Sequence, residues 1–150
     1  MKIREIEVSE IYKLLECITQ LSEYHNKISI NFKGSFPSKP YNESLNMFKE
    51  SLQNGQSHIA VVEDTEKVVG FCKVDIVGKN GKLDYLVVLQ EYRKKGYGKQ
   101  LMEWAMDTFR KHSINHIEVK VIDGNDTIHL YEKYGFKRSA HILWYCEEVE

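Results

Sequence analysis

The middle of the chain passes directly from an apolar run into a basic glycine loop and then into helical spacing. Leu83–Leu89 is short, apolar and rich in β-branched residues, which predicts a strand that is covered on both faces. Gly96 and Gly98 lack a Cβ, so the backbone there can turn tightly and approach a ligand closely. Helical spacing over 99–111 follows at once, so free backbone N–H groups and a helix N-terminus meet at one point. Such a point predicts an anion site.

The loop does not match the common phosphate-binding motifs. Its spacing is Arg93-x-x-Gly96-x-Gly98, whereas the dinucleotide fingerprint is Gly-x-Gly-x-x-Gly. A nucleotide phosphate loop would need a glycine at position 93, where arginine stands. Taken alone, the loop is equally compatible with a plain strand-to-helix turn that carries solvated lysines. The cations in and around it are Arg93, Lys94, Lys95 and Lys99.

Composition and charge limit the function classes that remain. The chain has 150 residues, which predicts one domain with its own core, and its formal net charge is −1. No overall positive charge would recruit nucleic acid or an anionic membrane, so an anion site depends on a local cluster. Cys17, Cys72 and Cys146 have no metal-binding spacing, which predicts reduced thiols in a cytoplasmic protein and no metal site. No apolar run approaches membrane-spanning length, and no signal core follows the N-terminus.

Hydrophobic periodicity predicts a mixed α/β (α+β) order of elements. Three strands joined by the tight turns 64–67 and 78–81 predict an antiparallel meander. A further strand after the long helix implies a right-handed crossover to a parallel neighbour. The predicted strands are 2–7, 57–63, 68–76, 83–89, 117–121 and 140–146. The predicted helices are 9–24, 42–54, 99–111 and 125–134, with Ser9 as the first N-cap.

Two motifs in this order resemble those of the GNAT superfamily of acyl-CoA-dependent N-acyltransferases. The first is the loop Arg93-x-x-Gly96-x-Gly98 after its strand, and it resembles the family's pyrophosphate-binding segment. The second is Leu130-Tyr131-Glu132-Lys133-Tyr134-Gly135-Phe136, which is similar to the family's segment near the C-terminus. The resemblance extends over essentially the whole chain and is most specific over 83–136. It implies one GNAT-like domain over 1–150, with a mostly antiparallel central sheet, a splayed parallel pair of fourth and fifth strands, and flanking helices.

The resemblance also implies an N-acetyltransferase in which the amine attacks acetyl-CoA directly. The loop backbone would bind the pyrophosphate, and Leu86-Val87-Val88 matches the family's Leu-x-Val, with the Val88 N–H facing the acyl oxygen. Tyr131 would protonate the leaving thiolate, with Tyr134 as the control residue. The residues so assigned to the cofactor are Leu86, Val87, Val88, Arg93, Lys94, Lys95, Gly96, Tyr97, Gly98, Lys99 and Asn125. Asn125 stands one position later than the family's asparagine, whose place Gly124 takes.

The residues leave the general base open. Asp84 precedes Leu86 by two residues, which predicts that it shares a face with Leu86 and Val88 and could accept the amine proton. A solvated aspartate at a strand end is an equally good interpretation of this residue. Asp75 and His58 are the alternatives.

The acceptor is the part of the function that the sequence specifies least. The aromatic-rich segment 25–41, with Phe32, Phe36 and Tyr41, should wall the acceptor site, although these rings could equally fill the core. A small-molecule or peptide amine is expected, and not nucleic acid or a membrane. The alternative to an enzyme is a catalytically silent acyl-CoA-binding regulatory domain of the same fold. The aromatic final strand, with Trp144 and Tyr145, could form a homodimer edge.

Overall fold

The computed structural model describes residues 2–147 and contains a five-stranded sheet. Its strands follow the order of the sequence and are Ile3–Glu5 (β1), Ser57–Asp64 (β2), Lys67–Val77 (β3), Asn80–Val88 (β4) and His116–Val119 (β5). The first three pairings are antiparallel, whereas β4 and β5 run parallel. This arrangement confirms the predicted antiparallel meander and its parallel neighbour.

Helices precede the meander and enclose β5 in sequence. They are Leu15–Ile28 (α1), Tyr41–Gln53 (α2), Tyr97–Lys111 (α3) and Ile128–Lys133 (α4), with 3₁₀ turns over Val8–Leu14 and Gln90–Tyr92. Among residues 2–147, every helix is too short or too polar to cross a lipid bilayer.

The predicted first helix is wrong at both ends. Ser9 is not its N-cap, because the chain already winds as a 3₁₀ turn in which the Glu7 N–H donates to the Glu10 carboxylate (3.2 Å). At the other end α1 continues past residue 24 to Ile28, and the Ser29 N–H donates to the His25 carbonyl (2.9 Å). The extra turn includes His25, which is partly buried there.

The core lies between the sheet and the helices on its two faces. On one face Phe48 of α2 packs against Phe71 and Tyr85, with ring centroids 6.4 and 5.0 Å away. On the other face the buried residues of α3 cover the sheet, and the ring of Phe109 lies against Gly81. Burial of these apolar side chains is the main stabilising contribution to the fold.

A β-bulge divides β4 and changes the direction of one candidate residue. Val74 pairs with Leu83 and Lys73 pairs with Tyr85, so Asp84 is the extra residue on β4. The Asp84 carboxylate lies 2.7 Å from the Lys73 Nζ, and that ammonium sits over the Phe48 ring on the α2 face. The prediction that Asp84 shares a face with Leu86 and Val88 is therefore wrong, because the bulge interrupts the alternation of side chains.

The predicted final strand, 140–146, is also wrong. Residues 136–147 form neither helix nor strand, and Leu143 and Tyr145 are exposed. Trp144 instead packs its ring against Phe32 and Phe36, with centroids 5.0 and 6.2 Å away. Side-chain packing thus replaces the expected strand ladder.

Candidate active site

β4 and β5 separate after four paired residues, and a cleft opens between them. The pairing runs from Asn80 with His116 to Leu83 with Val119. Beyond this point β4 continues along β3 to Val88, while the chain after β5 leaves the sheet. The cleft is a cavity of about 260 Å³ walled by β4, the segment after β5, α1 and α4. The splayed parallel pair that the resemblance implied is present.

The open edge of β4 presents to this cleft backbone groups that pair with no neighbouring strand of the described chain. The Leu89 N–H donates to the Val69 carbonyl on β3 (2.9 Å). Because backbone groups alternate along a strand, those of Val88 and Leu86 point away from β3 and into the cleft. The Arg93 Nε donates to the Val88 carbonyl (3.0 Å), which fixes the direction of that carbonyl independently. The Val88 N–H shares this direction.

The loop after β4 ends at the N-terminus of α3. Lys94 and Gly96 have positive φ angles of 63° and 87°, and Gly96 is the N-cap of the helix. A side chain at position 96 would be strained in this left-handed conformation. The Gln100 N–H donates to the Gly96 carbonyl (3.1 Å), so the N–H groups of residues 97–99 have no intrahelical acceptor. These groups and the positive end of the helix dipole favour an anion.

The cleft includes some of the predicted site residues and leaves out others. Those that line it are Asp84, Leu86, Val87, Val88, Arg93, Gly98, Asn125 and Tyr131. Those outside its lining are Lys94, Lys95, Gly96, Tyr97 and Lys99. The Lys95 Nζ lies over the Tyr92 ring (5.5 Å), and the Lys99 Nζ lies 3.9 Å from the exposed Glu103 carboxylate. These two lysine side chains thus have solvated positions beside the loop.

Tyr131 lies in α4 and is buried against the sheet while still lining the cleft. Phe136 packs edge-on against its ring, with centroids 5.9 Å apart. Burial raises the pKa of the Tyr131 hydroxyl, and the nearby Cys72 thiol raises it further. The phenol therefore stays protonated at neutral pH and holds a proton that it can donate. Tyr134 is also partly buried but does not line the cleft.

Asp84 lines the cleft, but lysines occupy both oxygens of its carboxylate. Oδ2 lies 2.7 Å from the buried Lys73 Nζ, and Oδ1 lies 3.5 Å from the Lys82 Nζ. Both oxygens of the Asp84 carboxylate thus already have an ammonium partner before any acceptor amine binds.

The two alternative bases also have other partners. Asp75 accepts hydrogen bonds from the Lys73 Nζ (2.7 Å) and the Ser57 hydroxyl (2.5 Å), and it does not line the cleft. His58 lies on β2 with its Nδ1 3.7 Å from the Glu5 carboxylate, and it is likewise outside the cleft lining. Neither residue has the position that a base for this cleft would need.

Asn125 lines the cleft at the start of α4. Its amide oxygen accepts the backbone N–H of Thr127 (3.0 Å) and a short hydrogen bond from the Thr127 hydroxyl. This local turn begins the helix that carries Tyr131 and uses the oxygen of the side chain. The amide NH₂ group is the part of Asn125 that remains for a ligand.

The sequence interpretation missed several residues of the cleft wall. They are Leu21, Tyr24, His25, Lys120, Val121, Ile122, Thr127 and Leu130. Tyr24 and His25 could have been found, because they follow Leu21 at helical spacing of three and four residues on the inner face of α1. Lys120–Ile122 could not, since nothing local indicates that the chain leaves the sheet after Val119.

The aromatic residues of segment 25–41 form two separate groups. Phe32 and Phe36 gather around Trp144, and Phe36 also contacts the His25 ring edge-on, with centroids 5.4 Å apart. These rings lie beside the α1 wall of the cleft. Tyr41 instead begins α2 and packs against the core. None of the three residues lines the cleft itself, so the idea that they wall the acceptor site stays a prediction.

Asp123 ties this aromatic segment to the chain that follows β5. Its carboxylate accepts hydrogen bonds from the Ser29 hydroxyl (2.7 Å) and from the backbone N–H groups of Ile30 and Asn31 (2.9 Å each). These bonds, the Ser29 hydroxyl first, lower the pKa of Asp123. The carboxylate is therefore ionised at neutral pH and holds the wall in place.

A model of the acetyltransferase (GNAT) family matches residues 17–136 of the chain. Among curated proteins, the uncharacterized protein YyaT of Bacillus subtilis (strain 168) is 26% identical over 125 residues, which is 82% of this chain and 82% of that protein.

Solved structures show the same fold. A GCN5-related N-acetyltransferase from Ralstonia eutropha JMP134 has a TM-score of 0.79 at 12% identity, with 97% of each chain covered. The PaiA N-acetyltransferase from Thermoplasma acidophilum, in complex with coenzyme A, has a TM-score of 0.72 at 23% identity, with 91% of this chain and 89% of that chain covered. At these identities the likeness concerns the fold alone.

Proposed function

Since the chain belongs to the acetyltransferase (GNAT) family, we propose that it is an N-acetyltransferase that moves an acetyl group from acetyl-CoA to an amine. The observation that carries this proposal is the open half of β4. Its free backbone groups, the start of α3 and Tyr131 all border one cleft. An acyl transfer needs a held donor, a stabilised oxyanion and an acid for the thiolate, and these three groups could supply them.

The donor would be held chiefly by backbone. The N–H groups at the start of α3 would bind the pyrophosphate of acetyl-CoA, because they lack acceptors and lie at the positive end of the helix dipole. Gly98 lines the cleft without a side chain, which leaves room for the donor to approach. The lysines around the loop would add a diffuse positive field without fixed contacts.

Arg93 would change partners when the donor binds. In the free protein its guanidinium donates to the Val88 carbonyl and lies over the Tyr24 ring, 5.1 Å from the centroid. All three residues of these contacts line the cleft. Release of the Val88 carbonyl would free it for an amide of the donor arm, and the cation would remain close enough to attract a phosphate.

The chemical step would use one backbone donor and one phenol. The Val88 N–H would stabilise the oxyanion that forms when the amine attacks the thioester carbonyl. As the carbon–sulfur bond breaks, its electron pair stays on sulfur, and the Tyr131 hydroxyl would give its proton to that thiolate. The pKa of Tyr131 is raised by burial, so the phenol is in its acidic form when the thiolate leaves.

The free thiols and the composition of the chain support a proposal for the compartment of the reaction and for the class of acceptor. Cys17, Cys72 and Cys146 are all free, as expected for a cytoplasmic protein. A formal net charge of −1 offers no general attraction for nucleic acid, which favours a small-molecule or peptide amine as acceptor.

The proposal is tested by screening a broad panel of amines with acetyl-CoA while released thiol and acetylated product are measured together. Thiol release that requires an amine, with product of the matching mass, would support it. CoA binding measured by calorimetry distinguishes the alternative, a silent acyl-CoA-binding domain. Binding without turnover over the whole panel, and a Tyr131→Phe variant identical to wild type, would favour that alternative.

A further inference from the structure

His25 is an ionisable side chain in the cleft wall that the proposed chemistry does not yet use. It lies in the last turn of α1 and is one of the residues that line the cleft. The edge-on contact with Phe36, 5.4 Å between centroids, restricts the orientation of the ring. The backbone is fixed as well, since the His25 carbonyl accepts the Ser29 N–H (2.9 Å) and Ser29 is fully buried.

The ring nitrogens of His25 are free to meet a substrate. Within residues 2–147, neither nitrogen makes a hydrogen bond. In the same part of the chain, no buried side-chain nitrogen or oxygen lacks a partner. A ring nitrogen without a partner is therefore not fully buried, and His25 is one of the residues that line the cleft.

The other ionisable groups that line the cleft are cations, phenols and one carboxylate that is already paired with lysines. Arg93 and Lys120 are cations, and the Asp84 carboxylate is held by two lysines. Tyr24, Tyr85 and Tyr131 are phenols, and burial raises the pKa of Tyr85 to about 12 and that of Tyr131 as well. Phe36, which contacts the imidazole from the segment after α1, carries no charge.

Burial also favours the basic form of His25. Desolvation lowers its pKa from the ordinary histidine value of about 6.5, so the imidazole is neutral at physiological pH. A neutral imidazole with an exposed lone pair is the side chain best suited to general-base catalysis near neutral pH.

We propose that His25 is the general base of the acetyl transfer, a role that rests on the proposed function. Its free ring nitrogen accepts a proton from the acceptor nitrogen as that nitrogen attacks the thioester carbonyl. The carbon–nitrogen bond forms while the carbonyl becomes an oxyanion. The oxyanion then collapses, the carbon–sulfur bond breaks, and the thiolate takes the Tyr131 proton. The proton on His25 finally returns through water to the Tyr131 phenolate, so both residues are regenerated and the products are the amide and CoA thiol.

The test compares His25→Gln, Asp84→Asn and wild type by pH–rate profiles with an amine acceptor that the panel identifies. His116→Gln is the matched control, because His116 is exposed on β5 outside the cleft lining. In wild type, kcat/KM should rise with pH through an apparent pKa below about 6.5, as the imidazole loses its proton. His25→Gln should lower kcat/KM about 100-fold and lose this acid limb, whereas Asp84→Asn and His116→Gln should keep it.

A second variant distinguishes the loss of a catalytic base from a loss of structure at position 25. His25→Ala should be slow, and added imidazole should restore part of its rate without changing CoA affinity. An acid limb that persists in His25→Gln, or a slow His25→Ala that imidazole does not rescue, overturns the role of His25 while leaving the acetyltransferase proposal standing. A wild-type chain that binds CoA but acetylates no amine overturns both.

Discussion

The two halves of β4 have the same neighbour on one side and different surroundings on the other. From Asn80 to Leu83 the strand pairs with both β3 and β5, and Gly81 and Leu83 are buried. After the bulge at Asp84, residues 85–88 pair with β3 alone, and the other edge of the strand borders the cleft. One continuous strand thus contributes core in its first half and free hydrogen-bonding groups in its second.

The cause of this difference lies outside β4, in the chain that follows β5. Asp123 holds that chain against the end of α1 through three hydrogen bonds. Gly124 lies so close to α1 that a Cβ there would come within 2.2 Å of the Ile28 carbonyl oxygen. The segment therefore cannot continue beside β4, and the open edge is a consequence of this contact.

The largest expected effect concerns Lys73, which holds the bulge where the two halves meet. Its buried ammonium lies 2.7 Å from both Asp75 and Asp84. Lys73→Met would leave two partly buried carboxylates without their cation and should lower the free energy of unfolding by about 3 kcal/mol. Urea denaturation measures this loss. Lys82→Met is the control, because Lys82 is half exposed and its pairing with Asp84 should contribute less than about 1 kcal/mol. Equal stability of the two variants would contradict the account.

The second-largest expected effect concerns catalysis at the open second half of β4. Tyr131→Phe should reduce kcat about 100-fold, or about 2.7 kcal/mol in activation free energy, because the thiolate loses its acid. CoA affinity should change little, since the ring remains. Tyr134→Phe is the matched control and should leave kcat near the wild-type value, as Tyr134 does not line the cleft. Steady-state kinetics and CoA calorimetry on both variants check this prediction; comparable kcat values for the two would rule out the role of Tyr131.

Two alanine substitutions, one in the first half of β4 and one beside its open half, should separate an effect on stability from an effect on CoA binding. A Cβ on Gly81 would lie 2.6 and 2.8 Å from ring carbons of Phe109, so Gly81→Ala should cost about 2 kcal/mol of stability and leave CoA affinity unchanged. A Cβ on Gly98 would meet Val88 only at 3.9 Å, so Gly98→Ala should fold normally. Because Gly98 lines the cleft, its new methyl group should weaken CoA binding about ten-fold, or about 1.4 kcal/mol. Thermal unfolding and CoA calorimetry on both variants test this prediction. An unstable Gly98→Ala variant together with a Gly81→Ala variant that binds CoA more weakly would refute it.

The smallest expected effect concerns the pH dependence of kcat, which should show no loss due to Tyr131 up to about pH 10. Burial and the Cys72 thiol raise the pKa of Tyr131, so its hydroxyl keeps its proton beyond the ordinary tyrosine value of about 10. As the protonated phenol is the active form, kcat should not fall on account of Tyr131 while pH rises to about 10. The measurement is kcat against pH, together with the ultraviolet absorbance of tyrosinate. A basic limb below pH 10 that disappears in Tyr131→Phe would contradict this environment for the residue.

The parts of the fold that could be predicted from sequence depend on local signals. The turns around residues 64–67 and 78–81 separate apolar runs, and the period of the chain changes to helical after Gly98. The antiparallel order and α3 follow from these features because neighbours in sequence become neighbours in the sheet. The loop from Arg93 to Gly98 could also be predicted from local signals, because the strand before it, its glycines and the helix after it follow one another directly in the sequence.

The parts that were missed depend on contacts between distant residues. Ser29 and Asp123 are 94 positions apart, and neither residue type indicates the partner that it will have. The bulge at Asp84 arises from the register between β3 and β4, so it reverses a face that simple alternation predicted. The final segment has a strand-like pattern, but Trp144 finds packing partners in Phe32 and Phe36 and the segment pairs with no strand of the described chain.

The most direct test of the account is a crystal structure of the protein with CoA. The pyrophosphate should lie within about 3 Å of backbone nitrogens at the start of α3, and the sulfur should lie beside Val88 and Tyr131 in the open half of β4. Arg93 should have released the Val88 carbonyl. CoA bound at another surface, or in the cleft with its pyrophosphate away from the 93–98 loop, would contradict the central claim.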